Sequence, residues 1–181
     1  KEIYREYTGD EMATGKNSYI QPTSGEAAVA IGTKSQATGE LSTAFGTGTS
    51  ATGLASAAFG MGARATKGNA VAIGAGSTTE TDATGVRDAN VNGVQYGNFA
   101  GGSRIIAGDQ VSFGSAGYER QLKHIAPGAI SETSTDAING SQLYSVANVL
   151  ATKIADASVK YYSVNPTEQD NTEGNRANDG A

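Results

Sequence analysis

The sequence predicts an all-β parallel roll with one short strand on each side of every coil, followed by a short α-helical coiled coil. Three observations predict it: a short fixed repeat, a row of tiny residues opposite a row of bulky apolar ones, and a late switch to heptad spacing. The repeat is fourteen residues long: Ala28-Val29-Ala30-Ile31-Gly32 returns as Ser42-Thr43-Ala44-Phe45-Gly46, Ser56-Ala57-Ala58-Phe59-Gly60 and Ala70-Val71-Ala72-Ile73-Gly74. Between these runs, Ala37-Thr38-Gly39, Ala51-Thr52-Gly53 and Ala65-Thr66-Lys67 keep the same phase. Each coil therefore holds two strands and two turns.

Alternate residues of a strand point to opposite faces, so the repeat is read as columns. One face carries Ala30, Ala44, Ala58 and Ala72, flanked by Ala28, Ser42, Ser56 and Ala70 and closed by a glycine in every coil. The opposite face carries Ile31, Phe45, Phe59 and Ile73 beside Val29, Thr43, Ala57 and Val71. Where Phe replaces Ile, the neighbour shrinks from Val to Thr or Ala, which is the compensation expected of a densely packed, buried space.

At about 3.3 Å per residue such a coil has a perimeter of about 46 Å, which suits a flattened two-sided roll rather than a roomy three-sided helix. Two sheets that close admit Ala, Ser and Gly between them and exclude Ile and Phe, so the bulky stripe faces outward. An outward apolar stripe on one chain marks an interface. A closed ring about the roll axis would bury identical stripes together, with the number of chains left open by the columns.

Composition agrees with a core completed by partner chains: 181 residues include 25 glycines and no tryptophan. A formal charge of −5 gives no basic footprint for nucleic acid. The absence of cysteine removes disulfide scaffolds and thiolate chemistry. No apolar run reaches the length of a membrane span and no signal peptide is visible at Lys1, so the chain reads as an internal piece of something longer.

Before the regular coils, residues 1–25 read as one or two irregular coils, from Ala13-Thr14-Gly15 and Thr23-Ser24-Gly25. After Gly74 the period breaks and returns at Val111-Ser112-Phe113-Gly114, which makes residues 78–108 an insertion. Its Val91, Val94, Tyr96, Phe99, Ile105 and Ile106 are enough apolar material to fold back against the roll. Beyond Gly114 the spacing turns helical: Leu143, Ala147, Leu150, Ile154 and Ala157 form a heptad seam, with Thr135 or Asp136 able to cap the helix. Two heptads associate when a rigid head already holds the chains in register. After Lys160, Tyr161 to Pro166 and a polar tail read as a linker or the lead-in to a further domain.

These residues resemble the trimeric autotransporter adhesins of Gram-negative bacteria, the YadA-like family. Asn69-Ala70-Val71-Ala72-Ile73-Gly74 resembles its head repeat, and Tyr96-Gly97-Asn98-Phe99-Ala100-Gly101 a head insert. Val111 to Gln121, with Thr135-Asp136-Ala137-Ile138-Asn139-Gly140-Ser141-Gln142-Leu143, resembles its neck, and Lys160-Tyr161-Tyr162-Ser163-Val164-Asn165 a connector. Phe113, Tyr118 and His124 depart from that pattern, which more often has Val, Asn and Asn, and so alter neck packing. The resemblance implies three chains, a left-handed roll and a cell-surface, outer-membrane adhesin whose signal peptide and anchor lie outside this segment. It divides the chain into a head over 1–77, an insert over 78–108, a last coil and neck over 109–142, a coiled coil over 143–160 and a connector over 161–181. The trimer interface would comprise Val29, Ile31, Phe45, Phe59, Val71, Ile73, Val111, Phe113, Leu143, Leu150 and Ile154. The partner would be an extracellular matrix protein, a host-cell receptor or other bacteria, with no nucleic acid and no direct membrane contact.

Sharper chemistry finds little footing. Gly46-Thr47-Gly48 and its repeats mimic a dinucleotide loop, but they recur at the coil period and read as turns. Asp88 to Gly93 opens like a calcium loop, yet its twelfth position is Phe99. His124 is the only histidine and stands without cysteine, so it reads as a neck residue near the trimer axis, and neither enzyme, cofactor nor metal site is expected. Asn139-Gly140-Ser141 fits a glycosylation acceptor but sits at the helix entry. Ligand contacts are expected on outward turns and polar strand faces, with Gln36, Glu40, Arg64, Lys67 and the insert loop as candidates. The alternatives are a structural spacer without its own ligand and, from the Thr38, Thr52 and Thr66 column, an ice-binding solenoid.

Overall fold

The computed structural model describes residues 2–8 and 21–163. They form two compact units, 1–123 and 124–181. The first is a parallel β-solenoid of about four turns. One sheet stacks β1 (Thr23–Ser24), β3 (Gln36–Ala37), β5 (Ser50–Ala51) and β7 (Arg64–Ala65). The other stacks β2 (Val29–Ile31), β4 (Thr43–Phe45), β6 (Ala57–Phe59), β8 (Val71–Ile73) and β11 (Val111–Ser112). The ladder puts Ile31, Phe45, Phe59 and Ile73 in one column and Ala30, Ala44, Ala58 and Ala72 in the next.

The interior is as small as the repeat demands. Ala44, Ala58 and Ala72 from one sheet meet Ala37, Ala51 and Ala65 from the other, all fully buried. The largest fully buried side chains are threonines and serines, led by Thr49 and Thr79. Their hydroxyls are satisfied by turn carbonyls: Ser42 Oγ donates to Gly39 O at 2.6 Å and to Ala51 O of the next coil at 3.2 Å, and Thr49 Oγ1 donates to Gly46 O at 2.7 Å. Among the described residues no buried side-chain polar atom lacks a partner, as a thin polar core requires. The second buried row, Ser35, Thr49, Ala63 and Ser77, is legible at the same period but lies outside the runs that announce the repeat.

Glycine is required where coils touch. Gly32, Gly46 and Gly60 sit at φ of 122°, 134° and 119°, and a Cβ on Gly32 or Gly46 would lie 2.6 or 2.9 Å from the carbonyl carbon of the glycine one coil on. At the opposite turn, Ala27, Leu41, Ala55 and Asn69 all take positive φ. Coil-to-coil bonds hold three of them there: Leu41 N to Glu26 O, Ala55 N to Glu40 O and Asn69 N to Leu54 O, at 2.8–3.0 Å.

Three expectations need correction in this unit or at its ends. First, Glu2–Thr8 is an α-helix, α1, rather than an irregular coil. This stretch has no glycine, and its three-residue spacing puts Tyr4 and Tyr7 on one helix face. Tyr4 is buried against the Gly48 turn, and Tyr7, half-buried, lies against the Gly76 turn. Ala13-Thr14-Gly15 lies outside the described residues. Second, the insert does not bury its apolar side chains against the roll. Val71 pairs with Val111, forty positions on, and between them runs an antiparallel hairpin, β9 (Ala89–Val91) and β10 (Val94–Tyr96). Val91, Val94, Tyr96, Phe99, Ile105 and Ile106 all stay exposed, because a two-stranded ladder has no second layer to cover either face.

The third correction concerns the second unit, whose helix α2 spans Gly140–Ser163. Its N-cap is Asn139, not Thr135 or Asp136: Asn139 Oδ1 accepts from Gln142 N at 3.3 Å, while Gln142 Oε1 accepts from Asn139 N at 3.1 Å. This is a reciprocal capping box. Asp136 serves the preceding loop instead, its Oδ2 accepting from Ala129 N at 3.0 Å. The helix also continues through Tyr161, Tyr162 and Ser163 where a connector was expected; residues 164–181 lie outside the described part.

Candidate interaction surfaces

The stripe on the outer face of the second sheet is built by ladder register alone. Val29, Ile31, Phe45 and Val111 are 49–54 % exposed, and Phe59 and Ile73 are 40 and 39 % exposed. Val71 and Phe113 are half-buried. Covering one such side chain is worth about 1.5–3 kcal/mol, and Ala30, Ala44 and Ala58 on the inner face have no comparable surface to bury. The apolar strip of α2 is equally open, with Leu143, Leu150 and Ile154 at 66, 56 and 69 %. Val146, 51 % exposed, falls within the same strip at helical spacing and was missed because it steps by three from Leu143 outside the seam pattern.

The other sheet presents a polar outer face. Gln36, Ser50, Arg64 and Thr78 form one column, and Gln36, Ser50 and Arg64 line a shallow pocket of about 210 Å³ with Tyr4 and Lys34. Glu40 and Lys67 are not in that column; they stand on the turn that follows it. The four ligand candidates thus divide into two pairs. Both cations already face acids at the start of the insert: Arg64 Nε lies 3.8 Å from Glu80 Oε1, and Lys67 Nζ lies 2.6 Å from Asp82 Oδ1. All four groups are solvent-exposed enough that each pair contributes little to stability.

Sequence reasoning missed the residue that ties the segment after β11 back to the coil ending at Ser77. Arg120 donates from Nη1 to Phe113 O at 2.6 Å and Ser77 Oγ at 3.0 Å, and from Nη2 to Ala75 O at 2.6 Å. No signal in the sequence distinguished this arginine from any surface cation, since its partners are two carbonyls and a buried serine. Beside it, backbone N–H groups of Glu119 itself and of Gly117 hold the Glu119 carboxyl below the usual carboxylate range, with Gly117 N 3.0 Å from Oε1. In the second unit, Asn139 Nδ2 donates to Ile125 O at 3.1 Å, so the amide of the glycosylation-like triplet is committed to the fold. His124 takes φ of 60°, a conformation Asn and His tolerate better than most residues, which rationalises the departure from Asn there. Among the described residues no cluster of three metal-ligating side chains occurs, and no helix is long and apolar enough to cross a membrane.

Comparison with known proteins matches this architecture. The YadA head domain repeat matches residues 24–49, 37–63 and 51–77, and the coiled stalk of trimeric autotransporter adhesin matches 121–165. The autotransporter adhesin BtaE of Brucella suis biovar 1 (strain 1330) is 39 % identical over 140 residues, covering 77 % of this chain and 15 % of that protein. The chain thus spans about a seventh of that relative's length. The C-terminal YadA-like domain of a Burkholderia pseudomallei protein aligns with a TM-score of 0.46 and 28 % identity, over 83 % of this chain and 62 % of that one. With head repeats and stalk together matching more than half of its residues, the chain belongs to the YadA-like trimeric autotransporter adhesins.

Proposed function

We propose that this chain is a segment of a homotrimeric surface adhesin that holds a Gram-negative bacterium to extracellular matrix, host cells or other bacteria by polyvalent, non-catalytic contacts. The observation that carries the reading is the inverted packing of the roll: the single chain buries alanine, serine and threonine completely and leaves its Ile, Phe and Val stripe open. Three copies closing about an axis give that stripe a dry interior, with Val29, Ile31, Phe45, Phe59, Val71, Ile73, Val111 and Phe113 in the head and Leu143, Leu150 and Ile154 in the stalk. The proposed division is a head over 1–77, an insert over 78–108, a last coil and neck over 109–142, and a coiled coil from 143 that follows α2 through Ser163, with a connector beyond.

Outward turns and the polar sheet face remain for ligand, with Gln36, Glu40, Arg64 and Lys67 repeated in each copy. Weak contacts repeated three times raise avidity without a strong single site. Three chains at −5 carry −15, which favours basic or neutral ligand patches over an anionic lipid surface. Anchoring to the outer membrane is assigned to other parts of the full protein. The test is sedimentation equilibrium of the purified chain, followed by solid-phase binding to collagen, fibronectin and laminin. A trimer that binds supports the adhesin; a trimer that binds none of these ligands makes the segment a spacer, and a monomer overturns the assembly.

A further inference from the structure

The insert hairpin has two chemically different faces. Val91 pairs with Val94 and Ala89 with Tyr96, so these four share one side. Asn90 pairs with Gln95 and shares the other side with Asp88 and Gly97. On that polar side Asn90 Nδ2 lies 3.4 Å from Gln95 Oε1, and Asn90 Oδ1 accepts from Gly93 N at 3.1 Å. Phe99 N donates to Arg87 O at 3.0 Å, which closes the open end of the hairpin and sets Phe99 beside Arg87. The result is a cavity of about 460 Å³ lined by Arg87, Asp88, Gln95, Gly97, Asn98 and Phe99. Its floor is open at Gly97, where a Cβ would meet only Asp88 Cβ, at 3.8 Å. Phe99 is 43 % exposed. Among the described residues, the side chains of Arg87, Asp88 and Asn98 make no ion pair or hydrogen bond.

We propose that this polar face is a saccharide-binding site. A sugar ring presents neighbouring hydroxyls that each donate and accept, together with a face of C–H groups. Arg87 supplies donors only, Asp88 acceptors only, and Gln95 and Asn98 both. The half-exposed ring of Phe99 offers the electron-rich surface that C–H groups favour. A peptide helix or proline-rich segment would dock in an apolar groove, and Phe99 is the one large apolar residue in the lining. The apolar side of the hairpin is the side suited to cover by a neighbouring copy, which leaves the polar side to solvent. A shallow site of this kind binds weakly on its own; the gain from three copies rests on the trimer proposed above.

The experiment applies the purified full chain to a printed panel of neutral and acidic oligosaccharides, then measures saturation-transfer NMR with the best-retained member. Phe99→Ala removes the ring, and Asp88→Asn removes an acceptor while preserving shape. Lys123→Ala, at an exposed position outside the insert, serves as a control, and circular dichroism checks all three for folding. Retention by the unsubstituted chain, with at least about a tenfold loss of affinity in Phe99→Ala and Asp88→Asn and none in Lys123→Ala, supports the site. Retention of no oligosaccharide overturns it, as does retention that both insert variants keep. Binding to matrix proteins is read separately in the solid-phase assay, so failure of one reading leaves the other standing.

Discussion

The roll and its insert are both made of short strands with exposed apolar residues, yet they are stabilised differently. In the roll every strand between the sheet ends has a neighbour above and below, and the same alanine, glycine and hydroxyl recur at each coil. The insert is a single hairpin whose two strands have only each other. Repetition lets a thin interior of alanines hold a fold, because each coil is the template for the next and errors at one level are propagated to its neighbours. A hairpin that occurs once has no such template and depends on what covers it. The exposed stripe of the roll is consequently regular along the ladder, while the apolar residues of the insert's hairpin, Val91, Val94 and Tyr96, lie on one face of a local ribbon.

The comparison breaks most visibly at the stripe. Phe59→Asp or Ile31→Asp places a carboxylate in each copy of a surface that assembly would bury, at a cost of several kcal/mol per unpaired charge. Trimers should disappear in ultracentrifugation, and unchanged sedimentation would show that the stripe faces something other than another copy. Val91→Asp in the insert should leave more of the trimer intact, since it alters one local contact instead of a continuous seam. Next in size is Gly46→Ala. Its φ of 134° and the carbonyl carbon of Gly60 at 2.9 Å from the new Cβ predict a loss of about 3 kcal/mol. Gly93→Ala, with nothing within 4 Å of its Cβ though φ is 83°, should cost about 1 kcal/mol, read as the midpoint shift in chemical denaturation.

Repetition also decided what the sequence disclosed. The columns Ala30 to Ala72 and Ile31 to Ile73 appear four times each, so their faces and the two-sheet section of the roll were legible from residue identity alone. Of the structures that occur once, the helix α2 was legible from its heptad spacing, but single contacts and the helix cap were not. Tyr4 and Tyr7 look like unremarkable residues in a polar leader until the Gly48 and Gly76 turns meet them. Arg120 reads as a surface cation until two carbonyls and Ser77 converge on it. The helix cap was misplaced by three or four residues because Thr135 and Asp136 have the preferred cap chemistry, while Asn139 has both that chemistry and a glutamine three residues on. The pairing of Asn139 with Gln142 was the stronger signal. Asn139→Ala should accordingly lower stability by about 1–2 kcal/mol, measured by thermal unfolding of α2, and Asp136→Ala should leave the helix start in place.

The smallest effect expected is a pH dependence at a single-copy feature, the turn at Gly117 that follows β11. The backbone N–H groups of Glu119 itself, then of Gly117, favour the ionised carboxylate, and slight desolvation opposes them, leaving the folded pKa below its ordinary 4.5. A depressed folded value means that the stabilisation is fully present above the unfolded value and is lost as pH falls through the folded one. Glu119→Gln removes the titrating group, so its melting temperature should lie below that of the unsubstituted chain at neutral pH, with the gap closing as acid protonates Glu119. Because the carboxylate is wholly exposed, salt should shrink the gap as well. A gap that stays constant from neutral to strongly acidic pH would mean that Glu119 supports the Gly117 turn by shape rather than by charge. The roll offers the internal control: its coil-to-coil bonds are between uncharged groups, so Gly46→Ala should destabilise by the same amount across that range.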